Sequence, residues 1–432
     1  MLFLCLFGRT IVTNRRQNPN SNPYYLSTNT TLYGSHMFKY LIKSTTLLIS
    51  CLIVQSTTAA DLINFWNTPQ HGANVFNRMP TTATVYPDLK AYKATWVRLA
   101  YDKWESDHRD FLIGNADDYQ GLIAQDLNKL IGEVNKAGKA GLKVVISPLS
   151  LPFMRWSQNN GQRYDGRLFE DQKNWDKAIE FWVDLAKELK GNPHIAAYNI
   201  VNEPTPEKQG GLKEHASTQE MQTWYKLHQG GSRDLPLFYE KVIESIRKVD
   251  PVTPIMVDAG WYAAADSFTY WNTALSDDKI LYSFHMYEPY QATSSENLRR
   301  NKPYRYPGLV PFASQSEVMW NADMVDQYLD SPVNWANRHG IPTNRLVAGE
   351  FGCVRKLNNC AAYLDDVITA LDKNNLHWAF YAFREDGWDG MNYELGAKKA
   401  VGWDYWTAQE KGEPDPTQYQ SSPLFSVIQK KL

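Results

Sequence analysis

Cysteine is scarce in this chain, with four in 432 residues. That is too few for a fold built on disulfides. No Cys-x-x-Cys pair or His/Cys cluster offers a zinc site. An excess of either charge is missing too. The formal net charge is -2, which gives no basic footprint for nucleic acid. There is no Gly-x-Gly-x-x-Gly turn and no phosphate-loop motif, so nothing points to a nucleotide cofactor. No internal repeat or low-complexity tract stands out. What the chain does have is aromatic surface. Phe, Trp and Tyr make up 13% of it, with 15 Trp and 25 Tyr, and 43% is hydrophobic. This is globular composition.

The charge is unevenly placed. Residues 1–60 hold Arg9, Arg15, Arg16, Lys39 and Lys43 and no acidic residue. From Met37 the chain reads as a secretory leader. Lys39 and Lys43 form its positive start, Leu47 to Val54 its apolar stretch, and Thr58-Ala59-Ala60 its small-residue cleavage site. The apolar stretch falls short of the roughly 20 residues of a membrane helix. The expected organisation is a structureless, non-native extension over 1–36, a signal peptide over 37–60 and one domain over 61–432. A second reading places a lipid anchor at Cys51, because Leu48-Ile49-Ser50-Cys51 resembles an acylation site. The expected location is outside the cell or in a periplasm. The pair left in the mature chain, Cys353 and Cys360, is a disulfide candidate; two free thiols are the alternative.

Over 61–432, apolar runs alternate with helix-like segments. The strand candidates are Gly72–Phe76, Thr95–Ala100, Lys143–Ser147, Ile195–Val201, Pro254–Asp258, Ile280–His285, Arg345–Glu350 and Trp378–Phe383. Several are continuous apolar runs, as in parallel strands covered on both faces. Helical spacing of three and four joins Leu122, Leu127, Leu130, Ile131 and Val134 in one segment. It joins Trp175, Ala178, Ile179, Trp182, Leu185 and Leu189 in another, and Phe238, Val242, Ile243, Ile246 and Val249 in a third. Further helices are expected over 318–338, 361–374 and 422–431, with stops at Gly141, Gly191 and Gly340. Eight such pairs predict an α/β fold, a (β/α)8 TIM barrel forming a single catalytic domain. Its long inserts follow strand four (Pro204–Asp234) and strand six (Glu288–Trp320).

Two of the strands end in an acid. Strand four runs into Asn202-Glu203-Pro204 and strand seven into Gly349-Glu350-Phe351-Gly352. Barrel active sites lie at the C-terminal ends of strands, and strands four and seven face each other across the mouth. One such Glu alone is an ordinary rim ion-pair partner. Two opposed carboxyls suit glycosidic bond hydrolysis, one protonating the leaving oxygen and the other attacking or activating water.

These two motifs on these two strands resemble glycoside hydrolase family 5, the cellulase family of clan A, across essentially all of 61–432. The resemblance implies Glu203 as general acid/base and Glu350 as nucleophile. Repulsion from Glu350 and partial burial would keep Glu203 protonated. By the same resemblance Arg98, in Trp96-Val97-Arg98-Leu99, orients Glu350. Asn202 contacts the sugar 2-hydroxyl. Tyr287 bonds the nucleophile and His285 lines the sugar site, both within His285-Met286-Tyr287-Glu288. The chain departs from the family twice. Strand three ends in Ser147-Pro148-Leu149-Ser150 where a His is common, and Tyr381-Ala382-Phe383 carries no Trp platform. Phe383 or Trp388 would take that place, which marks a divergent subfamily. Trp104, Trp156, Trp261, Trp388 and Trp403 follow strand ends and are candidate sugar platforms, foremost Trp261 and Trp388.

The implied activity is a secreted, retaining, endo-acting hydrolysis of β-linked polysaccharide, β-1,4-glucan or a related chain. No metal and no cofactor are called for. The expected partner is the oligo- or polysaccharide substrate, with no nucleic acid, no stable membrane association and a monomeric state. A catalytically weak carbohydrate-binding barrel is the alternative, suggested by the absent strand-three His. An aldolase is disfavoured, because no lysine ends a strand.

Overall fold

The structure, a computed structural model, describes residues 62–75, 84–385, 390–396, 411 and 422–432. The leader segment, Cys51, Phe76, Trp388 and Trp403 lie outside them. Six strands come first: β1 (His71–Val75), β2 (Trp96–Leu99), β3 (Lys143–Ile146), β4 (Ile195–Asn199), β5 (Ile255–Asp258) and β6 (Ile280–Met286). A hairpin follows, β7 (Gly308–Phe312) and β8 (Gln315–Trp320), then β9 (Leu346–Phe351) and β10 (His377–Phe380). The hairpin stands apart. The other eight strands are parallel and close a barrel in chain order. All eight expected strands are therefore present.

These segments are strands because both faces are covered. Every residue of β2, β4, β5, β6, β9 and β10 is buried. Inside the barrel, Trp96, Val145, Ala197, Met256, Leu281, Val347 and Ala379 form an apolar layer. Trp66, from the turn Ile63–Asn67, packs beneath it. Its indole donates to the Ala196 carbonyl at 3.1 Å, and its ring meets Trp96 edge-on with centroids 5.2 Å apart. The barrel thus has a solid, dry base.

The helices lie outside and bury one stripe each. Trp175–Leu189 buries Trp175, Ala178, Phe181, Trp182, Leu185, Ala186 and Leu189, the spacing of a single helical face. Gly141, Gly191 and Gly340 each follow a helix with positive φ, the conformation that ends helices.

Three expectations need correction. The helix expected from Val318 begins at Ala322, because 318–320 complete the hairpin and the Asn321 side chain caps the helix at Met324 N. The last helix is shorter, Phe425–Gln429. The insert after β4 carries an unexpected helix, Thr218–His228, started by a reciprocal Ser217/Glu220 cap. No helix among the described residues is long and apolar enough to cross a membrane.

Candidate active site

Side chains alternate along a strand, so the residue two steps beyond an inward one also points inward. Two steps beyond Trp96, Val145, Ala197 and Met256 stand Arg98, Ser147, Asn199 and Asp258. Asn74, two beyond Gly72, joins them. A polar layer therefore sits directly on the apolar base, and all five of these residues are fully buried.

Arg98 is its centre. Its Nη1 donates to Glu350 Oε1 at 2.6 Å and to Asn74 Oδ1 at 3.3 Å. Nε and Nη2 both donate to Asn199 Oδ1, at 3.0 and 2.7 Å. Nη2 also reaches Asn202 Oδ1 at 2.8 Å and Asp258 Oδ2 at 3.2 Å. Ser147, near the expected strand-three His position, donates to Asn199 Oδ1 at 2.9 Å.

Strict alternation would aim Glu350 outward, since Val347 and Gly349 already face in. A register shift between β6 and β9 prevents this: Phe284 pairs with Ala348, but His285 pairs with Glu350. One extra residue re-aims the side chain that follows. Gly349 makes the shift possible, because a Cβ there would stand 2.5 Å from Ser283 Oγ. Glu350 then meets Arg98 through one oxygen and the Tyr287 hydroxyl, at 2.8 Å, through the other.

Glu203 sits on the turn leaving β4. Its φ is 49°, uncommon for a residue with a Cβ. Its N–H donates to Asp258 Oδ2 at 3.1 Å, and its Oε1 lies 2.9 Å from His285 Nδ1. One oxygen of Glu203, one of Glu350 and a ring nitrogen of His285 fall within 4.8 Å of one another. The structure thus brings together Glu203, Glu350, Arg98, Asn202, His285 and Tyr287.

Burial, and next the charge of Asp258, push the Glu203 carboxyl up to about 8, against the pull of Arg98. Glu214 and Glu288 add to the rise. Asp258, rather than Glu350, is therefore the leading charge. Burial raises Glu350 as well, opposed by His285, Arg98 and the Tyr287 hydroxyl. Burial lowers the His285 imidazole and favours its neutral form.

Above this floor opens a cleft of about 710 Å³. Trp261, Trp156 and Tyr381 line it. Trp104 does not; it is buried against Tyr101 and Phe111. Phe383 packs against Tyr92 and Phe425 under the barrel wall, so Tyr381 supplies the aromatic face at the end of β10. Trp261 is set by three successive left-handed residues, with φ of 47°, 57° and 61° at Trp261, Tyr262 and Ala263. Buried Glu207 anchors this turn by accepting from Trp261 N at 3.1 Å and from the Tyr225 hydroxyl at 2.5 Å.

One wall is ionic. His215 Nδ1 is 2.9 Å from Asp266, and its Nε2 is 3.5 Å from Glu288 and 3.8 Å from Glu214. Burial opposes charge on this ring, but hydrogen bonds and charge from Asp266 and Glu288 raise it to about 11. Among the described residues, two trios have donor atoms close enough for a metal ion, Glu203–His285–Glu350 and Glu214–His215–Glu288. In each the imidazole already faces a carboxylate of its own trio, His285 with Glu203 and His215 with Glu288, and that pairing accounts for the closeness. At the end of β9, Cys353 and Cys360 form a disulfide with Cα atoms 5.8 Å apart.

Sequence reasoning missed Asp258, Glu207 and the His215 cluster. Asp258 left a trace: it is the only polar residue in Ile255-Met256-Val257-Asp258, two steps beyond an inward Met256.

Known proteins agree with this architecture. A "Beta-xylosidase" of Phanerodontia chrysosporium is 22% identical over 246 residues, covering 55% of this chain and 43% of its own. "Endoglucanase C" of Acetivibrio thermocellus is 22% identical over 251 residues, covering 53% and 64%. The chain thus matches less than two thirds of the length of these relatives. A solved hyperthermophilic endo-β-1,4-glucanase in complex with substrate superposes with a TM-score of 0.57 at 16% identity, over 85% of this chain and 99% of that one. The sequence model described as Cellulase (glycosyl hydrolase family 5) matches residues 56–387. With that match spanning most of its length, the chain belongs to the cellulase family, glycosyl hydrolase family 5.

Proposed function

We propose that the protein is an exported, retaining, endo-acting glycoside hydrolase that cleaves β-1,4-glucan or a related β-linked polysaccharide. The observation that carries this reading is the pair Glu203 and Glu350, whose oxygens converge to within 4.8 Å at the floor of the cleft. Carboxyls about 5–5.5 Å apart suit double displacement, whereas inversion needs room for a water between them.

In this reading Glu350 is the nucleophile. Arg98 and Tyr287 hold both its oxygens and aim the carboxylate at the anomeric carbon. Glu203 is the acid. It gives its proton to the departing oxygen as the sugar–Glu350 bond forms, then takes one from the water that breaks that bond. Asn202 lies between Arg98 and the cleft, placed to meet the 2-hydroxyl of the bound sugar. Trp261, Trp156 and Tyr381 offer flat faces to sugar C–H surfaces. The leader over 37–60 and a disulfide both suit export. The two carboxyls supply the chemistry without a metal or cofactor. The substrate partner is a single glycan chain, and a monomer suffices to bind it.

The test is hydrolysis of β-glucan, mannan, xyloglucan and xylan with product sizing, followed by azide rescue. Glu350→Ala with an activated substrate should yield a glycosyl azide of inverted configuration. The same product from Glu203→Ala would reverse the two roles. Oligosaccharide binding with no turnover over days would favour a carbohydrate-binding barrel instead.

A further inference from the structure

A third carboxylate lies under the pair. Asp258, at the end of β5, is fully buried. Its Oδ2 accepts from Arg98 Nη2 at 3.2 Å and from Glu203 N at 3.1 Å, and its Oδ1 accepts from Asn199 Nδ2 at 3.0 Å. Three donors and no acceptor describe an ionised carboxylate. The same Oδ2 stands 3.6 Å from His285 Nε2. That is too long for a hydrogen bond, and Nε2 has no other hydrogen-bond partner. The distance is short enough for the charge to act on the ring.

We infer that Asp258 is a positioning residue: its carboxylate fixes the ring tautomer of His285 and biases the proton of the site onto Glu203. The inference rests on the reading of Glu203 as the acid. Asp258 beside Nε2 favours the tautomer with hydrogen on that nitrogen, against Glu350 Oε2, which lies 3.7 Å from Nδ1 but already accepts from the Tyr287 hydroxyl. Nδ1 is then a bare acceptor, and it faces Glu203 Oε1 at 2.9 Å. A hydrogen bond across that contact requires the hydrogen to be on Glu203. Charge counting points the same way. Arg98 is one cation shared by two carboxylates, Glu350 and Asp258. The buried floor is already negative by one, and ionising Glu203 would add a second uncompensated charge there. Asp258 thereby separates two chemically identical side chains. It takes up part of the arginine that stabilises Glu350 and leaves Glu203 without a cation of its own.

Other groups also face Glu203. Arg98 from β2 opposes protonation; Glu350 from β9 and Glu214 and Glu288 from the inserts favour it; Tyr262 and Tyr287 are neutral phenols. Asp258→Asn keeps the shape, removes one charge and sets an amide donor against one of the three donors that Asp258 accepts from; the effect of the lost charge is toward ionised Glu203.

The experiment has two arms. In the wild-type protein, nitrogen NMR of labelled histidine should show His285 protonated at Nε2 and bare at Nδ1 at pH 6. Hydrogen on Nδ1 would overturn the proposal, whether or not any variant folds. In Asp258→Asn, the basic limb of kcat/KM should move to lower pH by about one unit. On the basic side of that limb, near pH 9, the rate on substrates with poor leaving groups should fall about tenfold. Aryl glycosides with strongly acidic leaving phenols need little proton donation and should change by less than about twofold. An unmoved pH limb, with equal loss on both substrate types, would make Asp258 merely structural. If the wild type cleaves no β-linked substrate, the functional reading falls, and the NMR arm still decides the role of Asp258.

Discussion

Arg98 in the floor of the cleft and His215 in its wall are both cations ringed by carboxylates, yet they are built differently. Arg98 is fully buried and bonded to side chains from β1, β4, β5 and β9. Its guanidinium cannot lose its proton at any ordinary pH. His215 is part-exposed, and its partners Asp266, Glu288 and Glu214 come from segments after β4, β5 and β6. Its charge exists only because those neighbours maintain it. The floor is thus electrostatically fixed, and the wall is conditional.

The most disruptive way to break this comparison is Arg98→Ala. It strands Glu350 and Asp258 without their cation, and removing one partner of a buried pair costs about 3–5 kcal/mol. Urea unfolding should show that loss, and activity should fall with it even where the variant remains folded.

Glu203→Gln should move stability the other way. The folded-state value of Glu203 is raised to about 8, so its contribution is present below the ordinary carboxylate value and is lost as pH rises through about 8. The amide escapes that loss. Its melting temperature should exceed the wild type's by several degrees at pH 8, with the gap closing at pH 4. A gap that is independent of pH would refute the assignment.

Trp261→Ala should raise KM for long oligosaccharides about tenfold, worth roughly 1.4 kcal/mol, with little change in kcat. Equal loss in kcat would show that the indole acts on the reaction rather than on binding.

His215→Gln is the mildest. Its contribution is present below the ordinary imidazole value and is lost only as pH rises through about 11. A melting temperature lower by about 2 °C at pH 9, and by more at pH 6, is expected. A variant defect confined to pH 6 would mean that the imidazole is neutral at pH 9.

The same contrast explains what could be read beforehand. In the floor, Arg98, Asn202, Glu203, His285, Tyr287 and Glu350 were legible through the resemblance carried by two strand-end motifs; alternation alone would have aimed Glu350 outward. The wall has no periodicity. Glu214, His215, Asp266 and Glu288 meet only because the inserts fold back, and nothing in their spacing announces it. Aromatic residues at strand ends were ambiguous for a related reason. Trp104 and Trp261 follow their strands at similar distances, but a left-handed turn anchored by Glu207 brings only Trp261 into the cleft. The hairpin β7–β8 was obscured by exposed polar residues and Pro311, which resemble loop.

The extra residue in β9 has a consequence for how this chemistry can be lost. Any side chain at residue 349 would place its Cβ 2.5 Å from Ser283 Oγ, force the two strands to shift and pull the Glu350 carboxyl away from Arg98 and Tyr287, while leaving every reactive side chain in the sequence. An inventory of residues would still describe an enzyme, while the molecule would be inert. In this chain the glycine that precedes the seventh-strand glutamate is therefore as informative as the glutamate itself.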